Sequence, residues 1–112
     1  MQQAGKLNRR IRFERPSDAV DPYGDPVGGW DLVATVWAAI RPMGVSERLT
    51  ALQMQSGQTH VVTVRYSPAL AAARGEWRIV FKGRVFQLVG QPRNPNEANV
   101  ELVFDCTEGP TP

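Results

Sequence analysis

The chain has 112 residues, with 13 Lys and Arg against 11 Asp and Glu for a formal net charge of +2. That length supports one hydrophobic core burying roughly 65% of the unfolded surface, and a charge so near zero selects no partner by itself. One Cys excludes an internal disulfide framework and, with one His, argues against a self-contained zinc cluster, while 42% hydrophobic residues with 10 Gly and 9 Pro describe a globular body with fixed turns.

The N-terminus is basic with no apolar segment behind it, and no apolar run approaches a membrane span, so a soluble chain kept in a cell or built into a particle is expected. From Leu7 to Arg15, Leu7, Arg9, Ile11 and Phe13 alternate with Asn8, Arg10, Arg12 and Glu14, the pattern of a half-buried strand. Pro16 ends it, and residues 17–29, rich in Asp, Pro and Gly, read as a long loop. Trp30 to Pro42 is apolar on both faces from Leu32 to Ile40 except at Thr35, which predicts a long strand covered on both sides, with a helix as the alternative. Strict alternation sends Trp30 and Trp37 to different faces. Core packing is the first expectation for both, an interface anchor the alternative.

Ser46 is placed to cap a short helix through about Gln55, with Glu47 in its first turn and Gly57 after its end. Thr59 to Tyr66 alternates again as a strand, Ala69 to Ala73 reads as a single helical turn or a loop, and residues 77–81 and 84–89 are two strands around Lys82-Gly83, the sharpest hairpin signal in the chain. After a Pro- and Asn-rich loop at 91–97, Val100, Leu102, Phe104 and Cys106 form the inner face of a last strand, and residues 109–112 make a tail. Six strands and one short inserted helix give an all-β, mostly antiparallel sheet. Curling it into a barrel removes two open edges that so small a chain has little means to cover. One domain over residues 1–112 is expected.

Little here carries reaction chemistry. His60 is the only side chain titrating ordinarily near neutrality and reads as a strand residue at an edge or barrel end. Cys106 shares the inward parity of Phe104 and has no nucleophile motif around it. Asp18, Asp21, Asp25 and Asp31 lack calcium-loop spacing, and Gly24, Gly28 and Gly29 precede a strand without a phosphate-binding signature. No catalytic residue, metal ligand or cofactor site is assigned.

Charge distribution says more than its total. Residues 1–15 hold Lys6, Arg9, Arg10, Arg12 and Arg15 against Glu14, a local +4, and Asp18, Asp21, Asp25 and Asp31 give −4 over residues 18–31. Further basic residues, among them Arg78, Arg84 and Arg93, contrast with Glu97, Glu101, Asp105 and Glu108 near the end. Unlike patches suit copies of one protein side by side in a ring, although an ordinary solvated face accounts for them as well. The candidate assembly residues are Arg9, Arg10, Arg12, Asp21, Tyr23, Asp25, Trp30 and Arg41. A small barrel holding nucleic acid, or a generic protein-interaction module, is the alternative.

The segments Gly5-Lys6-Leu7-Asn8-Arg9-Arg10-Ile11-Arg12-Phe13, Asp21-Pro22-Tyr23-Gly24-Asp25-Pro26, Trp30 with Val36-Trp37-Ala38-Ala39-Ile40-Arg41-Pro42, Ser46-Glu47-Arg48, residues 59–66 and residues 78–86 follow one another in an order that resembles the head-tail joining proteins of tailed bacteriophages, also called head-tail adaptors, stoppers or head-closure proteins. The resemblance implies a small β-barrel with a helix in one long connection and no enzymatic activity. It implies a ring of six or twelve copies beneath the portal or adaptor protein, docked below by tail terminator or other tail proteins. DNA passes through such a channel without sequence-specific recognition. A segment that narrows the channel is also implied, either residues 18–29 or residues 47–58, with Glu47, Arg48, Gln53, Gln55 and Gln58 as its candidate residues. The expected location is the head-tail interface of a phage, prophage or gene transfer agent particle, after a stage in the host cytoplasm.

Overall fold

The computed structural model describes residues 7–44, Ser46, Leu49 and residues 59–109. The alternating segments form β1 (Arg9–Pro16), β2 (Trp30–Pro42), β3 (His60–Arg65), β4 (Arg78–Phe81), β5 (Arg84–Leu88) and β6 (Glu101–Gly109). Neighbours pair antiparallel in the order β1-β2-β3-β6-β5-β4, and β4 returns to β1, closing the barrel that edge economy leads one to expect. A one-turn helix α1 (Pro68–Ala71) follows β3, and a 3-10 turn (Pro95–Glu97) precedes β6. Of the helix expected at about 46–55, only Ser46 and Leu49 are among the described residues, and Glu47, Arg48, Gln53, Gln55 and Gln58 all lie outside them.

Period-two patterning fills the interior. Ile11 and Phe13 from β1, Val62 and Val64 from β3, Ile79 from β4, Phe86 and Leu88 from β5, and Leu102, Phe104 and Cys106 from β6 are all 3% exposed or less. Phe13 and Phe104 come from strands that do not pair, and their rings meet across the barrel with centroids 4.9 Å apart. Leu70 from α1, and Ala73 and Trp77 from the α1–β4 connection, join the same core. The Gln87 side-chain amide holds that connection by donating to the carbonyls of Gly75 (2.6 Å) and Trp77 (2.8 Å). The chain passes close to Gly90 at this point, where a Cβ on Gly75 would stand 3.3 Å from the Gly90 nitrogen. Lys82 and Gly83, with φ of 48° and 80°, form the tight turn between β4 and β5, as a type I′ hairpin requires.

Three expectations need correction. First, β2 is covered on its inner face only: Trp30, Leu32 and Trp37 are 40%, 60% and 51% exposed. Second, Trp30 and Trp37 share the outer face despite their odd spacing. The β1–β2 register pairs Phe13 with Ala34 but Glu14 with Leu32, so Val33 is an extra residue in a β-bulge that resets the alternation. Third, Val100 precedes β6 and is exposed, because the strand starts at Glu101.

Candidate assembly surface

The outer wall of β1, β2 and β3 is where charged and apolar side chains gather. Antiparallel register sets Arg10 opposite Trp37, and the Ala38–Val64 pair brings Arg65 to the other side of that indole. The Arg10 guanidinium carbon lies 5.2 Å from the Trp37 ring centroid, within cation–π range. Tyr66, Thr35 and Ser67 complete a shallow cleft of about 320 Å³ beside Trp37. Toward the other end of the hairpin, Arg78 stacks 4.1 Å from the Trp30 centroid and its Nε donates to Glu14 Oε1 at 2.8 Å. Trp30 thus carries the Arg78 guanidinium on its ring and still keeps 40% of its surface exposed.

Residues 17–29 form a projecting arm with an irregular ladder of its own. Ser17 N donates to Gly29 O (3.1 Å), Val27 N to Ala19 O (3.2 Å) and Asp21 N to Asp25 O (2.8 Å), and Val20 bridges Pro26. Asp21 organises the tip: its Oδ1 accepts from Tyr23 N at 2.9 Å and Asp25 N at 3.0 Å, the side-chain turn that Asp favours. Tyr23, 90% exposed, crowns it, and Val20 and Val27 are exposed along its sides. Asp18, Asp21 and Asp25 are the arm's only charged residues.

The candidate residues therefore separate into groups. Arg10 and Arg12 lie exposed on the outer wall beside β2, with Arg12 also 3.9 Å from Glu14; Arg9 is exposed at the first position of β1. Asp21, Tyr23 and Asp25 sit together on the arm, with Trp30 at its base. Arg41 is near the far end of β2, roughly 35 Å along the strand from Trp30 at about 3.3 Å per residue. Leu32 and Arg65 also lie on this surface beside Trp37, the residue for which an interface anchor was the alternative to core packing. The strand from Trp30 to Pro42 carried the signal, being too apolar for a barrel wall with one wet face.

Several other charges are satisfied within the chain. Arg84 makes a two-pronged contact with Glu108 at 3.0 Å, and Arg93 Nη2 reaches Asp105 at 2.7 Å. These pairs, with Arg78–Glu14, take residues that patterning had offered to neighbouring copies. The hydrogen bond from Arg84 holds the Glu108 carboxyl below its ordinary value, helped by the nearby His60. His60 sits at the start of β3 with Nδ1 2.9 Å from Thr59 Oγ1 and its ring edge-on to Phe86. Burial pushes the Cys106 thiol far up, so it is a core residue. Among the described residues no group of three or more His, Cys, Asp or Glu is placed to hold a metal.

The family model for phage head completion proteins matches residues 2–109. The chain belongs to the phage head completion protein family. Membership gives this head completion protein a structural part in assembling the phage particle. In fold it is similar to protein SF1141 from Shigella flexneri 2a, solved in solution, with a TM-score of 0.78, 24% identity, and 96% of this chain and 97% of that one covered. It is also similar to a chain in the virion of a native gene transfer agent particle, with a TM-score of 0.59, 21% identity, and 92% and 96% covered. No curated protein matches the sequence.

Proposed function

We propose that the protein is a ring-forming connector between portal and tail, extending or closing the DNA channel and offering the tail its docking surface. Family membership carries the assembly role. The observation supporting a ring is the uncovered outer wall, where Trp30, Leu32 and Trp37 are exposed although the barrel already has a complete core. An exposed apolar face rimmed by Arg10 and Arg12 suits a subunit interface better than free solvent. The fold shared with a gene transfer agent virion chain extends the reading to phage-like particles as well as phages.

Six or twelve copies would stand under the portal, with a tail terminator or other tail protein below. Either of two connections, residues 18–29 or residues 47–58, would narrow the channel. The barrel is a rigid frame in this scheme, and the channel passes DNA without reading its sequence. Omitting the protein from particle assembly is expected to leave DNA-filled heads without tails, and adding purified protein back to restore joining. Heads that acquire tails equally well without it would refute the connector role.

A further inference from the structure

We propose that the acidic arm of one copy docks in the Trp37 cleft of a second copy of this chain, the contact that repeats around the ring. This rests on the ring reading and names its contact. Charge complementarity supplies the first reason: Asp18 and Asp25 are exposed on an arm without a single cation, while Arg10 and Arg65 flank the cleft. Neither arginine forms an ion pair among the described residues, and Glu101, opposite Arg65 on β6, forms none with it. Apolar chemistry also matches. Tyr23 is 90% exposed at the arm's tip and Trp37 51% exposed at the cleft, an aromatic anchor facing an aromatic floor.

Geometry makes the contact intermolecular. The arm leaves the hairpin at Pro16 and Trp30, whereas the cleft lies at Arg10 and Trp37, roughly 20 Å back along strands that rise about 3.3 Å per residue. No arm residue lines the cleft, so within one copy the two surfaces stay apart. Arm and cleft are different surfaces, and a contact between unlike surfaces repeats from copy to copy until the ring closes. The ladder also holds the arm in shape before docking, which limits the entropy lost on contact.

Cysteine crosslinking tests this contact. A Pro22→Cys protein and a Thr35→Cys protein are mixed and oxidised, first at millimolar concentration and then on filled heads; native Cys106 is buried and stays silent. The expected product is the mixed dimer, in clear excess over either homodimer. Adding Asp18→Lys and Asp25→Lys to the arm partner lowers it roughly tenfold, and Arg10→Asp with Arg65→Asp in the cleft partner restores it. Homodimers and mixed dimers in random proportion, or a yield indifferent to these charges, overturn the proposal. Displacement of the arm by single-stranded DNA at physiological salt, with no mixed dimer, assigns the cleft to nucleic acid and overturns it too. Portal-vertex rings that yield no mixed dimer sink this contact and leave the connector role standing; mixed dimers from a protein that never joins heads do the reverse.

Discussion

Truncating Phe104 and Leu32 to alanine, one at a time, tests whether the barrel has the inside and outside described above. Phe104 is 1% exposed and loses its tilted contact with Phe13 at 4.9 Å. Emptying such a site costs about 3–5 kcal/mol, of which the ring pair accounts for about 1 kcal/mol. Leu32 is 60% exposed. Since complete burial of a leucine is worth only about 1.5–3 kcal/mol, its truncation costs about 1 kcal/mol or less. Against a total of about 5–15 kcal/mol, Phe104→Ala removes a large share of the stability and lowers Tm by roughly 15–25 °C, while Leu32→Ala lowers it by about 5 °C or less. Urea titration followed by tryptophan fluorescence, with matched m-values, measures both. Equal losses at the two positions, or a larger one at Leu32, would show that the Val33 bulge does not turn Leu32 outward.

Other outcomes follow from single contacts. Reversing Arg10 and Arg12 to Glu leaves urea stability within about 1 kcal/mol of wild type, because both are exposed and the Arg12–Glu14 pair is long, yet blocks assembly on filled heads; unimpaired assembly would count against the outer wall as an interface. Lys82→Asn, which puts Asn-Gly in a turn with both φ values positive, raises stability by about 0.5 kcal/mol in the same titration, and a loss would mean the turn is not type I′. Glu108 has its folded pKa below the ordinary 4.5, through the Arg84 hydrogen bond first. Its contribution is complete above that ordinary value and is lost as pH falls through the lower folded one, so Glu108→Gln flattens the acid side of the stability–pH curve and added salt does so partly. An unchanged acid slope refutes this. The Cys106 thiol reacts with Ellman's reagent only on unfolding, and rapid labelling of native protein would contradict its burial.

The interior was legible in the sequence because it depends on local periodicity. Leu102, Phe104 and Cys106 follow a two-residue period, and Lys82-Gly83 announces its turn through backbone conformation alone. The surface was less legible. Nothing local marks Val33 as a bulge, since it carries no Gly and breaks no run, yet it decides that Trp30 and Trp37 lie on one face. The Arg78–Glu14 pair joins residues 64 apart in sequence, so charge bookkeeping along the chain left Arg78 available to a neighbour. The arm looked like a plain loop because its ladder is built from backbone hydrogen bonds and one Asp side chain, which Pro- and Gly-rich composition conceals. In each case a long-range or backbone contact, invisible to patterning, set the final position.

The protein is proposed to work as a ring at the head-tail joint. Electron microscopy of DNA-filled, tailless particles, imaged with and without the purified protein, tests it most directly. The expected result is an added ring of density at the portal vertex, made of six or twelve barrels, each with its β1–β2 outer wall against a neighbour. A portal vertex unchanged by the protein, or density in which the barrels do not touch one another, would contradict it.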